Sequence, residues 1–172
     1  QPASFDEVHD PSAASWHGRT LGRSPRREKG LGQDLLPANS LDLVAYCWAM
    51  DLLVTSEWLA GELGGDDLVV IDATVYLTMG PNGYESESGR AAFVEAHIPG
   101  ARFGDLTGDL CDVDSHNRFA LPAPDDLAAA FERLGVSDGS RVVLYDDNGS
   151  MWAARVWFML RWLGFDNAAI LD

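Results

Sequence analysis

The chain has 172 residues, 47% of them hydrophobic, and a formal net charge of −15 from 12 basic and 27 acidic side chains. That length buries one ordinary core, and the acidic excess repels phosphate backbones and anionic bilayers, so neither nucleic acid nor a membrane surface is an expected partner. No apolar run reaches the roughly 18 residues of a membrane span, and Cys47 and Cys111 lack CxxC or Cys/His spacing, so the sequence predicts no metal site, no disulfide framework and no cofactor, and a reducing cytoplasm fits it best.

The charge is uneven. Residues 1–40 hold five basic and five acidic side chains, whereas residues 41–172 hold seven and 22. Such acidity serves first to keep a cytoplasmic protein soluble. Residues 1–49 are rich in Pro, Ser, Gly and Arg without periodicity, which predicts disorder or a non-native extension. The first residue is Gln1, and Met50-Asp51-Leu52-Leu53-Val54 reads as the natural start of a domain over 50–172.

From there strand and helix signals alternate. Ser56 is placed to cap a helix running to about Leu63 and ended by Gly64-Gly65. Leu68 to Asp72 is a continuous apolar run suited to a strand buried on both faces. Gly80-Pro81-Asn82-Gly83 opens a polar loop, Ala91 to Ala96 a short helix, and Ala101-Arg102-Phe103 a short strand. Pro124, with Asp125 and Asp126 in the first turn, starts a helix that Gly135 ends. A strand over Arg141 to Tyr145, a polar loop, a helix from Trp152 to Leu163 stopped by Gly164, and a strand over Ala168 to Leu171 complete the series. The βαβα rhythm predicts an α/β fold, a central parallel sheet flanked by helices, with ligand chemistry at the carboxyl ends of its strands. The chain stops at Asp172, directly after a strand, where a covering helix is expected; the reading is of a domain truncated before its last helix.

The strand–loop–helix around Asp146-Asp147-Asn148-Gly149-Ser150-Met151 is the most telling stretch. Amides in such a loop converge at a helix N-terminus, where unpaired donors and the helix dipole favour an anion. Here the first position after the strand, suited to a nucleophile, is the carboxylate of Asp146.

Three motifs in this order, Leu68-Val69-Val70-Ile71-Asp72-Ala73, His97-Ile98-Pro99-Gly100-Ala101 and Ala154-Arg155-Val156-Trp157-Phe158-Met159-Leu160, resemble the rhodanese family over about residues 50–172. The likeness is to the non-catalytic N-terminal domain of tandem-domain thiosulfate and 3-mercaptopyruvate sulfurtransferases. It implies a rhodanese-like three-layer fold. It also implies a parent enzyme in which a cysteine at the head of the corresponding loop of a second domain takes sulfur from thiosulfate or 3-mercaptopyruvate as a persulfide and passes it to an acceptor such as cyanide. In this chain the position matches Asp146, which can accept the loop amides but cannot form a persulfide. No catalytic residue is therefore expected, and 146–151 read as a vestigial active-site loop. The resemblance also implies that His97 can face the partner domain's cysteine across a shared cleft, and that Arg90, another candidate for that cleft, matches the position from which a catalytic domain's Gly-Arg motif binds the anionic substrate. Their ordinary roles would be pairing with a local carboxylate, Asp146 among the candidates, for Arg90, and fixing the turn for His97. Arg155 is expected to anchor the loop, Cys111 to be an ordinary loop cysteine, and Trp152, Trp157, Phe158 and Trp162 to pack in the core or against another domain. The implied partners are the second rhodanese domain and a small anionic sulfur donor. The alternative is a stand-alone regulatory or binding module of the same fold; a phosphatase of related fold is disfavoured because the loop has neither Cys nor Arg.

Overall fold

The computed structural model describes residues 50–172 apart from Asn82, together with residues 15–16 and 19–20. The latter form two short strands, β1 (Ser15–Trp16) and β2 (Arg19–Thr20), paired antiparallel. The expected disorder of 1–49 otherwise lies outside the described residues.

The remaining elements are β3 (Leu53–Val54), α1 (Ser56–Glu62), β4 (Leu68–Asp72), β5 (Val75–Gly80), β6 (Gly83–Ser88), α2 (Arg90–Glu95), β7 (Arg102–Phe103), α3 (Pro124–Arg133), β8 (Arg141–Tyr145), α4 (Met151–Trp162) and β9 (Ala168–Leu171). Five of the strands form one parallel sheet in the order β3-β9-β8-β4-β7. In β8 the apolar residues face alternate sides, as the period of two requires. Val142 and Leu144 join Ile71, Leu127, Phe131, Val156 and Leu160 in the larger core under α3 and α4. Val143 joins Val54, Leu59, Val70, Ala101 and Ala169 on the opposite face, beside α1. A strand buried on both faces must be apolar throughout, which is why these runs are legible in the sequence.

Local chemistry shifts several predicted boundaries. The cap of α1 is Thr55 rather than Ser56: its hydroxyl oxygen accepts from the Trp58 amide at 3.2 Å, and Ser56 is already helical. Helices α2 and α4 each begin one residue before the expected position and end one residue before it. The larger difference lies around the glycine-rich stretch: in place of a polar loop opening at Gly80, the chain forms an antiparallel hairpin, β5–β6, registered from Val75 opposite Ser88 to Gly80 opposite Gly83. At its base Gly89 donates to the Thr74 carbonyl at 3.0 Å, and a Cβ there would stand 2.5 Å from that oxygen. Only glycine permits this approach of two backbones.

Candidate functional site

Chain direction in the sheet diverges between β4 and β8: from β4 the chain crosses to the β7 edge, and from β8 it crosses the other way to β9. The carboxyl ends of two such neighbours open a crevice, the usual ligand position in this class of fold. Asp72-Ala73-Thr74 and Tyr145-Asp146-Asp147 lie there.

Asp146 leaves β8 and turns its carboxylate into the loop that follows. One oxygen, Oδ1, accepts from the amides of Asn148 at 2.7 Å and Ser150 at 2.9 Å. The other, Oδ2, accepts from Trp152 at 2.8 Å and Ala153 at 2.7 Å. The last two are the second and third residues of α4, whose donors have no partner within the helix. Ser150 stands at the N-cap but makes no side-chain cap, and a carboxylate four residues upstream takes its place. Two successive left-handed residues, Gly149 at φ 68° and Ser150 at φ 64°, fold the backbone into this cradle. Such φ values are easy for glycine and uncommon for serine. The cradle thus holds an anion as the sequence predicts, and the anion is part of the chain.

The crevice is laced to its surroundings. The Ala73 amide donates to the Tyr145 carbonyl at 2.9 Å, and the Thr74 amide to Asp72 Oδ1 at 2.9 Å. The Asp147 amide donates to Thr74 Oγ1 at 3.2 Å, while Asp147 Oδ2 accepts from the Tyr76 hydroxyl at 2.6 Å, tying the hairpin to the loop. That bond and the Asp147 charge raise the Tyr76 pKa above its ordinary value. Tyr145 accepts from the Ile98 amide at 3.3 Å through its hydroxyl oxygen. Burial pushes its pKa up strongly, and the nearby Asp72 charge adds to the shift. No sequence motif marks Thr74 or Tyr76, and Tyr145 is legible only as the strand residue that leads into the loop; their positions beside two strand ends give them away.

The other expected site residues take separate places. His97 stacks on Phe93 with centroids 4.1 Å apart, and its Nδ1 lies 2.7 Å from the Phe93 carbonyl. A carbonyl can only accept, so Nδ1 carries the proton in the neutral ring, and the residue is exposed. Arg90 meets Asp105, not Asp146: its Nη2 lies 3.7 Å from Asp105 Oδ2, and its guanidinium covers Phe103 at 4.9 Å. Asp105 is itself held by Ser88 and Thr107. Arg155 anchors a different loop from the expected one, donating to the Phe119 carbonyl at 2.7 Å. Phe119 has a positive φ of 57° and packs on the buried Trp152. Trp157 donates to the Ala168 carbonyl at 3.0 Å, whereas Phe158 is 49% exposed. Cys111 is a free thiol on the wall common to two concavities of about 230 and 400 Å³, neither lined by residues 146–151.

A rhodanese-like domain model matches residues 55–172. The chain is 38% identical over 120 residues to thiosulfate/3-mercaptopyruvate sulfurtransferase 2 of Arabidopsis thaliana, covering 70% of this chain and 33% of that protein. It is also 38% identical over 124 residues to a probable 3-mercaptopyruvate sulfurtransferase of Pseudomonas aeruginosa, covering 70% and 42%. The crystal structure of the 3-mercaptopyruvate sulfurtransferase SseA of Escherichia coli superposes with a TM-score of 0.62 at 29% identity, over 72% of this chain and 45% of that one. The chain thus spans less than half the length of these relatives. Its fold, its motifs and these matches together place it in the rhodanese family.

Proposed function

We propose that the chain is the non-catalytic domain of a two-domain sulfurtransferase, and that the sulfur-carrying cysteine lies in the second domain. The observation that carries this reading is Asp146. It stands where a rhodanese nucleophile would stand, and both its oxygens are saturated by four backbone amides at 2.7–2.9 Å. The names of the relatives favour the reaction class and the donors. In that reaction a cysteine thiolate attacks the outer sulfur of thiosulfate, breaking the S–S bond and releasing sulfite, or the thiol sulfur of 3-mercaptopyruvate, breaking the C–S bond and releasing an enolate that takes up the thiol proton to become pyruvate. The resulting persulfide gives that sulfur to cyanide, forming thiocyanate and restoring the thiolate. A cradle of amides at a helix N-terminus suits such a thiolate by lowering its pKa. In this chain the same donors are spent on a carboxylate that has no sulfur to offer. Arg90 and His97, exposed on α2 and just after it, contribute to the wall of the shared cleft.

The parent polypeptide tests this. Incubated with thiosulfate or 3-mercaptopyruvate, it carries its persulfide on a cysteine outside residues 1–172, found by mass spectrometry of alkylated peptides. A persulfide on Cys111, or none anywhere, contradicts the reading.

A further inference from the structure

The β5–β6 hairpin is an arm with two unlike faces. The register sets Leu77 opposite Ser86 and Met79 opposite Tyr84 on one side, and Tyr76 opposite Glu87 and Thr78 opposite Glu85 on the other. The first side is apolar and open to solvent, with Leu77 38%, Met79 69% and Tyr84 59% exposed. On the second, the Glu85 carboxyl lies over Gly80 near the tip. The arm is also held in place. Tyr76 bonds Asp147 at its base, Ser88 bonds Asp105, and Arg118 donates to the Tyr84 carbonyl. A two-stranded ribbon is marginal in water by itself, and one that displays Leu, Met and Tyr is costly unless something covers them. Ser86, on the apolar side, lines the concavity of about 230 Å³ together with Leu106, Val113 and Phe119. Val113 is 69% exposed. The apolar side of the arm therefore overlooks a recess that an apolar side chain can enter.

We propose that this arm is the element by which the domain grips the second domain of its parent, inserted into a groove with one apolar wall and one lysine- or arginine-bearing wall. The inference rests on the two-domain reading for the existence of that partner. Charge complementarity decides the second wall. Residues 41–172 carry 22 acidic side chains against seven arginines and no lysine. Arg90, Arg141 and Arg161 already face carboxylates of their own domain. Among the described residues neither Glu85 nor Glu87 is in an ion pair, and a positive wall on the partner complements them. A second exposed apolar pair, Met151 and Phe158 at 47% and 49% exposure, lies on α4, which carries no acidic residue, and serves as the control.

The test uses the parent protein with a photo-crosslinking phenylalanine analogue in place of Met79, or of Phe158. The Met79 position crosslinks to a second-domain peptide that holds Lys or Arg beside apolar residues, and Phe158 does not. Glu85→Lys together with Glu87→Lys lowers the Met79 yield about tenfold at low salt, and less in 1 M salt. A crosslink from Phe158 alone, none from either position, or a Met79 yield indifferent to the charge reversals overturns the proposal. A coding sequence without a second rhodanese domain instead overturns the reading on which it rests.

Discussion

Replacing Asp146 probes the cradle directly, and the size of the effect follows from its geometry. Four amides lose their acceptor in Asp146→Ala. The bond to Asn148 is exposed, so water replaces that acceptor at little cost. The bonds to Ser150, Trp152 and Ala153 are partly buried. A hydrogen bond to a charged group contributes about 1.5–3 kcal/mol, and loss of a helix cap costs about 0.5–2 kcal/mol. The three bonds share one carboxylate and do not add fully, so the expected loss is about 2–4 kcal/mol. For a domain of this size that corresponds to a fall in Tm of about 6–15 °C. Asp146→Asn sharpens the test. Its side chain keeps one acceptor oxygen and turns an NH₂ toward two backbone donors, so it is no more than about 1 kcal/mol better than alanine. Urea denaturation of the chain and both variants, followed by circular dichroism, gives the comparison through the midpoint at constant slope. A loss below about 1 kcal/mol for alanine, or wild-type stability for asparagine, refutes the claim that the carboxylate holds the loop.

Three further expectations follow from other parts of the molecule. Tyr145 and Tyr76 have folded-state pKa values raised above the ordinary phenol value, by burial foremost for Tyr145 and by the bond to Asp147 foremost for Tyr76. Their contribution is fully present below about pH 10 and is lost as pH rises further; Tm measured across pH 8–12 falls at the alkaline end, and Tyr145→Phe makes that fall shallower. Gly89→Ala pushes a methyl group onto the Thr74 carbonyl at 2.5 Å and costs about 1–3 kcal/mol, readable as a lower urea midpoint. Asp146→Cys places a thiol at the head of α4, where the amides hold its pKa below the ordinary value of about 8.5; iodoacetamide alkylates it at pH 6.5 faster than it alkylates glutathione, and an equal or slower rate counts against the cradle.

What the sequence made legible was whatever burial writes into it. Strands β4, β8 and β9 lie inside the sheet with both faces covered, so each is built on a continuous apolar run, flanked by Asp72 in β4 and Arg141 in β8, and its bounds are legible in the sequence to the residue. The hairpin carries no such mark, since its strands read Val-Tyr-Leu-Thr-Met-Gly and Gly-Tyr-Glu-Ser-Glu-Ser and most of these residues are exposed. Its pairing comes from the turn and from anchoring at Gly89 and Tyr76, which local periodicity does not report. Thr55 and Ser56 are both good caps, and only the backbone angles choose between them. In the site, a carboxylate directly after a buried strand announced an occupied anion cradle. That it satisfies four amides depends on Ser150 adopting a left-handed conformation that its residue type does not advertise. Arg90 finds Asp105, fifteen positions along the chain, because β7 lies beside β4 in the sheet and brings that turn under α2. Such a pairing is a property of topology, which neighbouring residues do not encode.

With Asp146 in the nucleophile's place, as proposed, this domain is expected to have no sulfur chemistry of its own. Thiocyanate formation from thiosulfate and cyanide by the purified 172-residue chain measures it most directly. The expected rate is no greater than that of buffer and is unchanged by Cys111→Ser. Turnover above that background, abolished by Cys111→Ser, would contradict it.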